Sequence, residues 1–149
     1  MTFRILSPRY RKRRGAALVE AALVLPIFFM VVLGIIEFGR AFMISQVLQN
    51  AAREGCRKAV TGSYTSAEVV TDMKSQLTAT GVDAANLTCS IVVTVDPSNP
   101  SVSNNEVANA TTKDLVAVTI SIPFSKVQLI PGKYLAGKTL TAKSAMRHE

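Results

Sequence analysis

A glycine and a glutamate at the start of an apolar stretch are the first residues of this sequence that could do chemistry. Gly15 ends the basic run RKRRG, and Glu20 is the only charged residue between positions 16 and 36. A charged carboxylate inside a bilayer costs about 2.5–3.5 kcal/mol on insertion scales, so it needs a counter-charge or a place at the membrane surface. The pattern therefore predicts a paired Glu20 or, as the alternative, a Glu20 that faces lipid headgroups.

A second set of charges, Glu37 and Arg40, directly follows the apolar stretch. Opposite charges three residues apart are neighbours on a helix. We interpret them as an interfacial ion pair that ends a membrane span. The alternative interpretation is that Glu37 pairs with a partner protein.

Cys56 and Cys89 are the only two cysteines of the chain. Both fall on predicted core faces, and export of this segment to an oxidising compartment would favour a disulfide between them. A bridge closing a loop of about 33 residues would contribute about 3–4 kcal/mol in the chain-entropy model. The alternative is two buried free thiols, which are common in protein cores.

Residue patterns typical of enzymes are missing from the sequence. The single histidine, His148, is the penultimate residue, where we expect a solvated imidazole rather than a catalytic base. The sequence has no Cys-x-x-Cys pair, no glycine-rich phosphate loop and no His-rich metal spacing. We therefore predict a protein that is not an enzyme, with no cofactor and no metal site.

Positive charge is concentrated ahead of Gly15. The net charge of +7 alone would be compatible with nucleic-acid binding, but six of the 17 basic residues precede Gly15 with no acid among them. The remaining 11 basic residues are balanced by 10 acidic ones. A basic leader of this kind is typical of a positive-inside topology signal rather than of a phosphate-binding surface. We expect a cytoplasmic N-terminus and no nucleic-acid partner.

The stretch 16–36 has the length and composition of a transmembrane helix. Its 21 residues span about 31 Å, close to the hydrocarbon thickness of a bilayer. Pro26 should kink or loosen this helix near its middle. No small-x-small site follows the apolar region, which disfavours cleavage as an ordinary secretory signal peptide. We therefore predict one membrane span followed by an exported segment.

The helix is predicted to continue as an amphipathic helix to about Val60, with residues 61–63 as its stop. We expect four residues of its apolar stripe to pack under a sheet, namely Phe38, Phe42, Leu48 and Ala52. A short helix follows, for which Thr65 and Glu68 have capping-box spacing and Gly81 suits the C-terminal cap.

Residues 87–95, 115–122 and 139–146 alternate apolar and polar side chains, which predicts three strands. Between the first two strands, residues 96–114 form a polar loop that we expect to stay outside the core. The sequence predicts an α+β fold, in which a long N-terminal helix packs on a small antiparallel sheet of about three strands, with one short additional helix.

The N-terminal pattern resembles that of type IV prepilins, in which a basic leader ends in glycine and a glutamate follows at the fifth position. The segment VEAALVLPIFFMVVLGIIEFGRAFMISQVLQNAAREGCRKAV closely resembles the TadE family of pseudopilins, and the ending IPFSKVQLIPGKYLAGKTLTAKSAMRHE is similar to the TadE C-terminus. The resemblance implies a pilin-like fold and cleavage between Gly15 and Ala16. Residues 1–15 would be a cleaved leader, 16–61 the long helix and 62–149 the exported domain.

What the resemblance implies about function is a minor pilin of a Tad (Flp, type IVc) pilus involved in surface adherence. Glu20 would pair with the new α-amine of Ala16, and Glu37 with a partner pseudopilin. The implied partners are a prepilin peptidase, other pseudopilins, the major pilin, and an inner-membrane assembly platform with its ATPase. Two alternatives stay open, a pseudopilin of a type II-like secretion system and an uncleaved, membrane-anchored periplasmic binding module.

Overall fold

The structure, a computed structural model, describes residues 11–99, 106–129 and 135–148, with side chains described from Gly15 onward. Its main elements are helices α1 (Arg11–Ala59) and α2 (Ser66–Ala79) and strands β1 (Thr88–Thr94), β2 (Leu115–Pro123) and β3 (Thr139–Arg147). The strands form one antiparallel sheet in the order β1-β2-β3. The predicted α+β fold is confirmed. The chain divides into two compact units, 1–36 and 37–149.

Helix α1 is formed by a long run of Ala, Leu, Val, Ile and Phe, and it passes Pro26 without a break. Because proline has no N–H, the carbonyl of Ala22 lacks its usual helical donor at this point. The helix ends at Ala59, and Gly62 has a φ of +66°, a left-handed conformation that favours glycine. The predicted stop at residues 61–63 is therefore confirmed.

Within the unit 37–149, the buried stripe of α1 consists mainly of small and aliphatic residues that recur every three or four positions: Ala41, Ile44, Leu48, Ala51, Ala52, Cys56 and Ala59. They join the apolar faces of α2 and of the sheet in one hydrophobic core. Alanine at these positions lets the helix axis approach the strands closely. The predicted core positions Leu48 and Ala52 are confirmed.

The prediction that Phe38 and Phe42 pack under the sheet is wrong, because their side chains are 47% and 70% exposed. Successive residues on a helix are about 100° apart. Glu37 and Ala41, each one position earlier, lie on the buried side of α1. The two phenylalanines therefore lie about a third of a turn away from the core.

The sheet has one apolar face and one polar face. On the central strand β2, Val116, Val118, Ile120 and Ile122 are fully buried, and Val93 of β1 lies opposite Val116. The alternate positions of all three strands carry mostly Thr, Ser, Ala and Lys. This alternation is the expected pattern for an antiparallel sheet that is covered on one side.

Helix α2 has the predicted signals at both ends. The Thr65 side chain accepts from the backbone N–H of Glu68, and the Glu68 carboxylate accepts from the N–H of Thr65 at 2.8 Å. At the other end, Gly81 has a φ of +85°, and the N–H of Val82 donates to the Leu77 carbonyl at 3.1 Å. Both the capping box and the glycine cap are confirmed.

The two helices are in close contact at Gly55 of α1. A β-carbon built at this position would lie 2.8 Å from Cγ of Met73, whose side chain is buried in the core. Gly39, also in α1, has no atom within 4 Å of such a β-carbon. The packing of α2 therefore requires the absence of a side chain at Gly55 but not at Gly39.

We predict that Gly55→Ala destabilises the unit 37–149 by about 1–3 kcal/mol through overpacking against Met73. The matched control Gly39→Ala should be neutral or stabilising by up to about 1 kcal/mol, since alanine is the better helix former. Thermal unfolding of the full chain in detergent, followed by circular dichroism, measures both. Equal stabilisation by the two variants would contradict the close contact.

The loop between β1 and β2 was expected to stay outside the core, and this is wrong at Val107, which is fully buried. The short 3₁₀ turn that carries it, Val107–Asn109, is held against the start of α2 by two hydrogen bonds. The N–H of Ser66 donates to Glu106 Oε1 at 2.7 Å, and the N–H of Val107 donates to Ser66 Oγ at 3.0 Å. Residues 100–105 of this loop lie outside the described residues.

The base of the same loop is held by one buried carboxylate, Asp114. Its Oδ1 accepts from the N–H of Asp96 at 2.8 Å and from Asn99 Nδ2 at 2.7 Å. Its Oδ2 accepts from the N–H and hydroxyl of Thr111 at 2.8 and 3.0 Å. The backbone N–H of Asp96, followed by that of Thr111, lowers the pKa of Asp114 to about 2. The charged carboxylate thus joins both ends of the loop.

Asp114→Asn should lower the Tm at neutral pH by on the order of 5 °C. The side-chain amide would replace one acceptor oxygen with an NH₂ donor, which would face the donors that this oxygen accepts from. The folded pKa of Asp114, about 2, lies below its ordinary value, so its stabilisation is present above pH ~4 and is lost as the pH falls toward 2. Thermal unfolding at pH 7 and pH 2.5 should show the difference from wild type shrinking at low pH.

The matched control is Asp72→Asn, which removes only the surface ion pair with Lys58. It should change the Tm by less than about 2 °C. A neutral-pH Tm for Asp114→Asn that equals the control would contradict the anchoring role of Asp114.

Candidate assembly site

The predicted cleavage site lies inside a helix. Gly15 and Ala16 are both exposed residues of α1, and no atom lies within 4 Å of a β-carbon built at Gly15. Ala16 and Glu20 are four residues apart, so they share one face of the helix and lie about 6 Å apart along its axis. The structure thus brings the Gly15–Ala16 bond and the Glu20 carboxylate onto the same helical face.

Glu20 is exposed and apolar residues surround it in the sequence. Among the described residues, ion pairs join Arg57 to Glu54 and Lys58 to Asp72, and neither involves Glu20. In the uncleaved chain the nitrogen of Ala16 belongs to a neutral peptide bond. Cleavage after Gly15 would create an α-amine that could serve as a counter-charge for Glu20.

The segment of α1 that carries Glu20 has the character of a membrane anchor. Among the residues that the structure describes, α1 alone is long and apolar enough to cross a membrane, and none of its most apolar stretch is buried. A core helix of a soluble protein would bury most of such a stretch. The exposed apolar surface of this segment is compatible with insertion into the hydrocarbon of a bilayer.

Glu37 and Arg40 do not form the predicted ion pair. Nε of Arg40 donates to the carbonyl of Val127, which follows β2. Glu37 is only 2% exposed, and its Oε2 is buried without a hydrogen-bond partner. An unpaired buried polar atom is destabilising. At Glu37, the first residue of the unit 37–149, no described residue hydrogen-bonds to Oε2.

The predicted disulfide is absent, since both cysteines are free. Sγ of Cys56 donates to the Val116 carbonyl at 3.2 Å, whereas Cys89 lies opposite Ile120 in the sheet register. Val116 and Ile120 are about 13 Å apart along β2, too far for the geometry of a disulfide. Burial raises the pKa of both thiols. The alternative of two free thiols describes the structure.

His148 also differs from its expected solvated position. Its backbone N–H donates to the Asp114 carbonyl at 2.9 Å, and its carbonyl accepts from the N–H of Lys113 at 2.8 Å. Nε2 of the imidazole is buried, and it would lie 3.2 Å from a β-carbon built at Gly62. His148 therefore continues the pairing of β3 with the start of β2 and packs near the end of α1.

Sequence reasoning missed the burial of Glu37. A signal was present, because Glu37, Ala41, Ile44 and Leu48 follow one another at spacings of four, three and four residues. This is the spacing of a buried helical stripe. The interpretation of Glu37 as half of an interfacial ion pair with Arg40 did not take this spacing into account.

Comparison with known proteins gives one match. The family model described as TadE-like protein matches residues 15–57, a segment that includes Gly15, Glu20, Glu37 and Arg40. Comparisons with curated proteins and with solved structures gave no match. The resemblance seen in the sequence is confirmed over these residues, which are similar to the TadE-like family and lie within α1. This family is associated with the Tad pilus and is structural rather than catalytic.

Proposed function

We propose that this chain is a minor pilin, or pseudopilin, that takes part in assembling a Tad (Flp, type IVc) pilus for surface adherence. The observation that carries the proposal is the placement of Glu20. Its carboxylate lies on an exposed apolar helix, one turn after the Gly15–Ala16 bond, inside the segment that the TadE-like model matches.

Cleavage by a prepilin peptidase after Gly15 would supply such a counter-charge. An α-amine has a pKa of about 7.7–8.0, so the new terminus at Ala16 would be largely protonated at neutral pH. Glu20 can then pair with its own amine or with the amine of a neighbouring subunit. An intersubunit pair of this kind would set the axial register of packed helices, because a displaced helix would leave a charge unpaired.

The charge distribution supports one orientation in the membrane. The six basic residues ahead of Gly15 would hold the leader in the cytoplasm, and the unit 37–149 would be exported across the inner membrane. The proposed partners follow from this place in the pilus system: the prepilin peptidase, other pseudopilins, the major pilin, and the membrane platform with its ATPase. The role of the chain in this assembly is structural rather than catalytic.

Glu37 is the second proposed assembly residue. Oε2 of its buried carboxylate has no hydrogen-bond donor among the described residues, and Arg40, its neighbour on the helix, donates to the Val127 carbonyl. A residue that destabilises the isolated subunit can be retained because it is satisfied in the assembled state. We assign Glu37 the role of an acceptor for an N–H donor of a partner pseudopilin.

Glu20→Ala tests the proposed function. The variant should insert into the membrane and lose its leader as wild type does, because neither step needs the carboxylate. Its incorporation into pili should fall by at least about tenfold, the effect of losing 1.4 kcal/mol or more per subunit contact. Immunoblots of membrane and sheared-pilus fractions measure both quantities. Val19→Ala, at the neighbouring exposed position, is the matched control. Normal piliation by Glu20→Ala would contradict the proposal.

Glu37→Leu should have opposite effects on stability and assembly. Removing an unsatisfied buried carboxylate should stabilise the isolated chain by about 1–3 kcal/mol, while co-purification with partner pseudopilins should decrease. The exposed Gln46→Leu variant, on the same helix, should change neither. A Glu37→Leu chain that is less stable than wild type, or that binds its partners equally well, would refute the proposed role of Glu37.

A further inference from the structure

An apolar groove in the unit 37–149 has no role in the proposed pairing of charges. It has a volume of about 180 Å³ and is lined by Phe38, Ala41, Phe42 and Ser45 of α1 together with Phe124, Leu135, Lys138 and Leu140. Phe124 is almost completely buried. The groove therefore has an aromatic base and an open side.

The open side of the groove is bordered by exposed apolar side chains. Phe38 and Phe42 line it, and Met43 next to them is 59% exposed. Large apolar side chains that cluster on a surface mark a contact with lipid or with another protein. The sequence analysis wrongly predicted Phe38 and Phe42 as core residues and made no prediction for Met43.

The position of these side chains in the chain favours lipid. Phe38 and Phe42 follow Ile36, the last residue of the apolar stretch, by two and six positions, which corresponds to at most about 9 Å of helix. This is the depth at which the hydrocarbon of a bilayer meets the headgroups. Phe38 and Phe42 are thus exposed apolar residues that directly follow the apolar stretch in the sequence.

The charge of the groove is also suited to a lipid. Among the described residues that line it, Lys138 is the one charged residue, it is exposed, and none is acidic. A lysine at a membrane surface attracts anionic headgroups. The amphipathic character of the groove, apolar along its length with one cation at its rim, matches that of an anionic phospholipid.

The size of the groove argues against a helix as its occupant. An engineered apolar cavity of about 150 Å³ holds one benzene molecule, so a groove of this volume accepts a short length of acyl chain. A helix is about 10–12 Å across with its side chains, and only one or two of those side chains would enter. A second copy of this chain would therefore leave most of the helix outside the groove.

We propose that this groove binds an anionic phospholipid of the outer leaflet, with an acyl chain against Phe38 and Phe42 and the phosphate at Lys138. This inference rests on the membrane anchoring that is part of the proposed function. Lipid binding would hold the groove of the exported unit at the membrane surface before the subunit enters a pilus. The lipid would have to dissociate when the subunit enters the pilus.

Tryptophan fluorescence tests the proposal directly, because the chain contains no tryptophan. Phe42→Trp reports on the groove, Phe29→Trp on the apolar stretch, and Val92→Trp on the outer face of the sheet, where Val92 is 46% exposed. Each full-length variant is reconstituted into vesicles of phosphatidylcholine, with and without phosphatidylglycerol. Quenching by lipids brominated on the acyl chain is then measured at several protein-to-lipid ratios.

We expect quenching of Phe42→Trp and Phe29→Trp but not of Val92→Trp. Phosphatidylglycerol should increase the quenching of Phe42→Trp about twofold, and a second change, Lys138→Gln, should remove that increase. Quenching of Phe42→Trp no greater than that of Val92→Trp would overturn the lipid proposal while Phe29→Trp still reports an inserted anchor.

Two other results would also overturn it. Emission of Phe42→Trp that depends on the protein-to-lipid ratio, without quenching by brominated lipid, would identify a second protein chain as the occupant. Absence of quenching for Phe29→Trp would show that the stretch 16–36 is not inserted, which contradicts the membrane anchoring of the proposed function as well.

Discussion

The apolar side chains of α1 have two different surroundings along the helix, and the change from one to the other occurs at Glu37. From Gly15 to Val31 every residue is exposed, whereas from Glu37 to Ala59 one side of the helix is buried in the core of the unit 37–149. The transfer of apolar side chains from water is favourable in both cases, but the first segment needs lipid or other helices to achieve it. Glu20, which forms no ion pair among the described residues, lies on the first part of α1. Glu37, whose Oε2 has no hydrogen-bond partner among them, lies on the second. The sheet and α2 pack against the second part of α1 in one hydrophobic core.

The sheet and α2 hold α1 through small residues rather than through charges. Alanine and glycine on the buried side of α1 allow the apolar face of β2 and the side chain of Met73 to approach the helix closely. The long loop between β1 and β2 is tied down independently, by Asp114 at its base and by Val107 near α2. The core is thus complete without any bond between Cys56 and Cys89, and both thiols are free.

Local patterns were enough to predict most of the fold. Period-two alternation located all three strands, and the Thr65–Glu68 capping box with Gly81 gave the bounds of α2, because these signals depend on residues that are close in the sequence. Facts that depend on distant residues were not predictable in this way. Val107 is buried only because Ser66 and Glu106 bring it to the core. The separation of the two cysteines depends on the register of β1 against β2. Apolar residues occur nearly all round α1 between Phe38 and Leu48, so periodicity alone did not distinguish its core side from its outer side. The assembly role of Glu20, inferred from its spacing to Gly15, stays a prediction.

The measurement that tests the central claim most directly is the N-terminus of the mature chain. The full-length protein is co-expressed with a prepilin peptidase, extracted from the membrane, and analysed by N-terminal sequencing and intact mass. The account predicts a chain that begins at Ala16, whose α-amine is then available to Glu20. A chain that retains Met1 and the basic leader in the presence of active peptidase would contradict it, because Glu20 would then lack the counter-charge on which the assembly role depends.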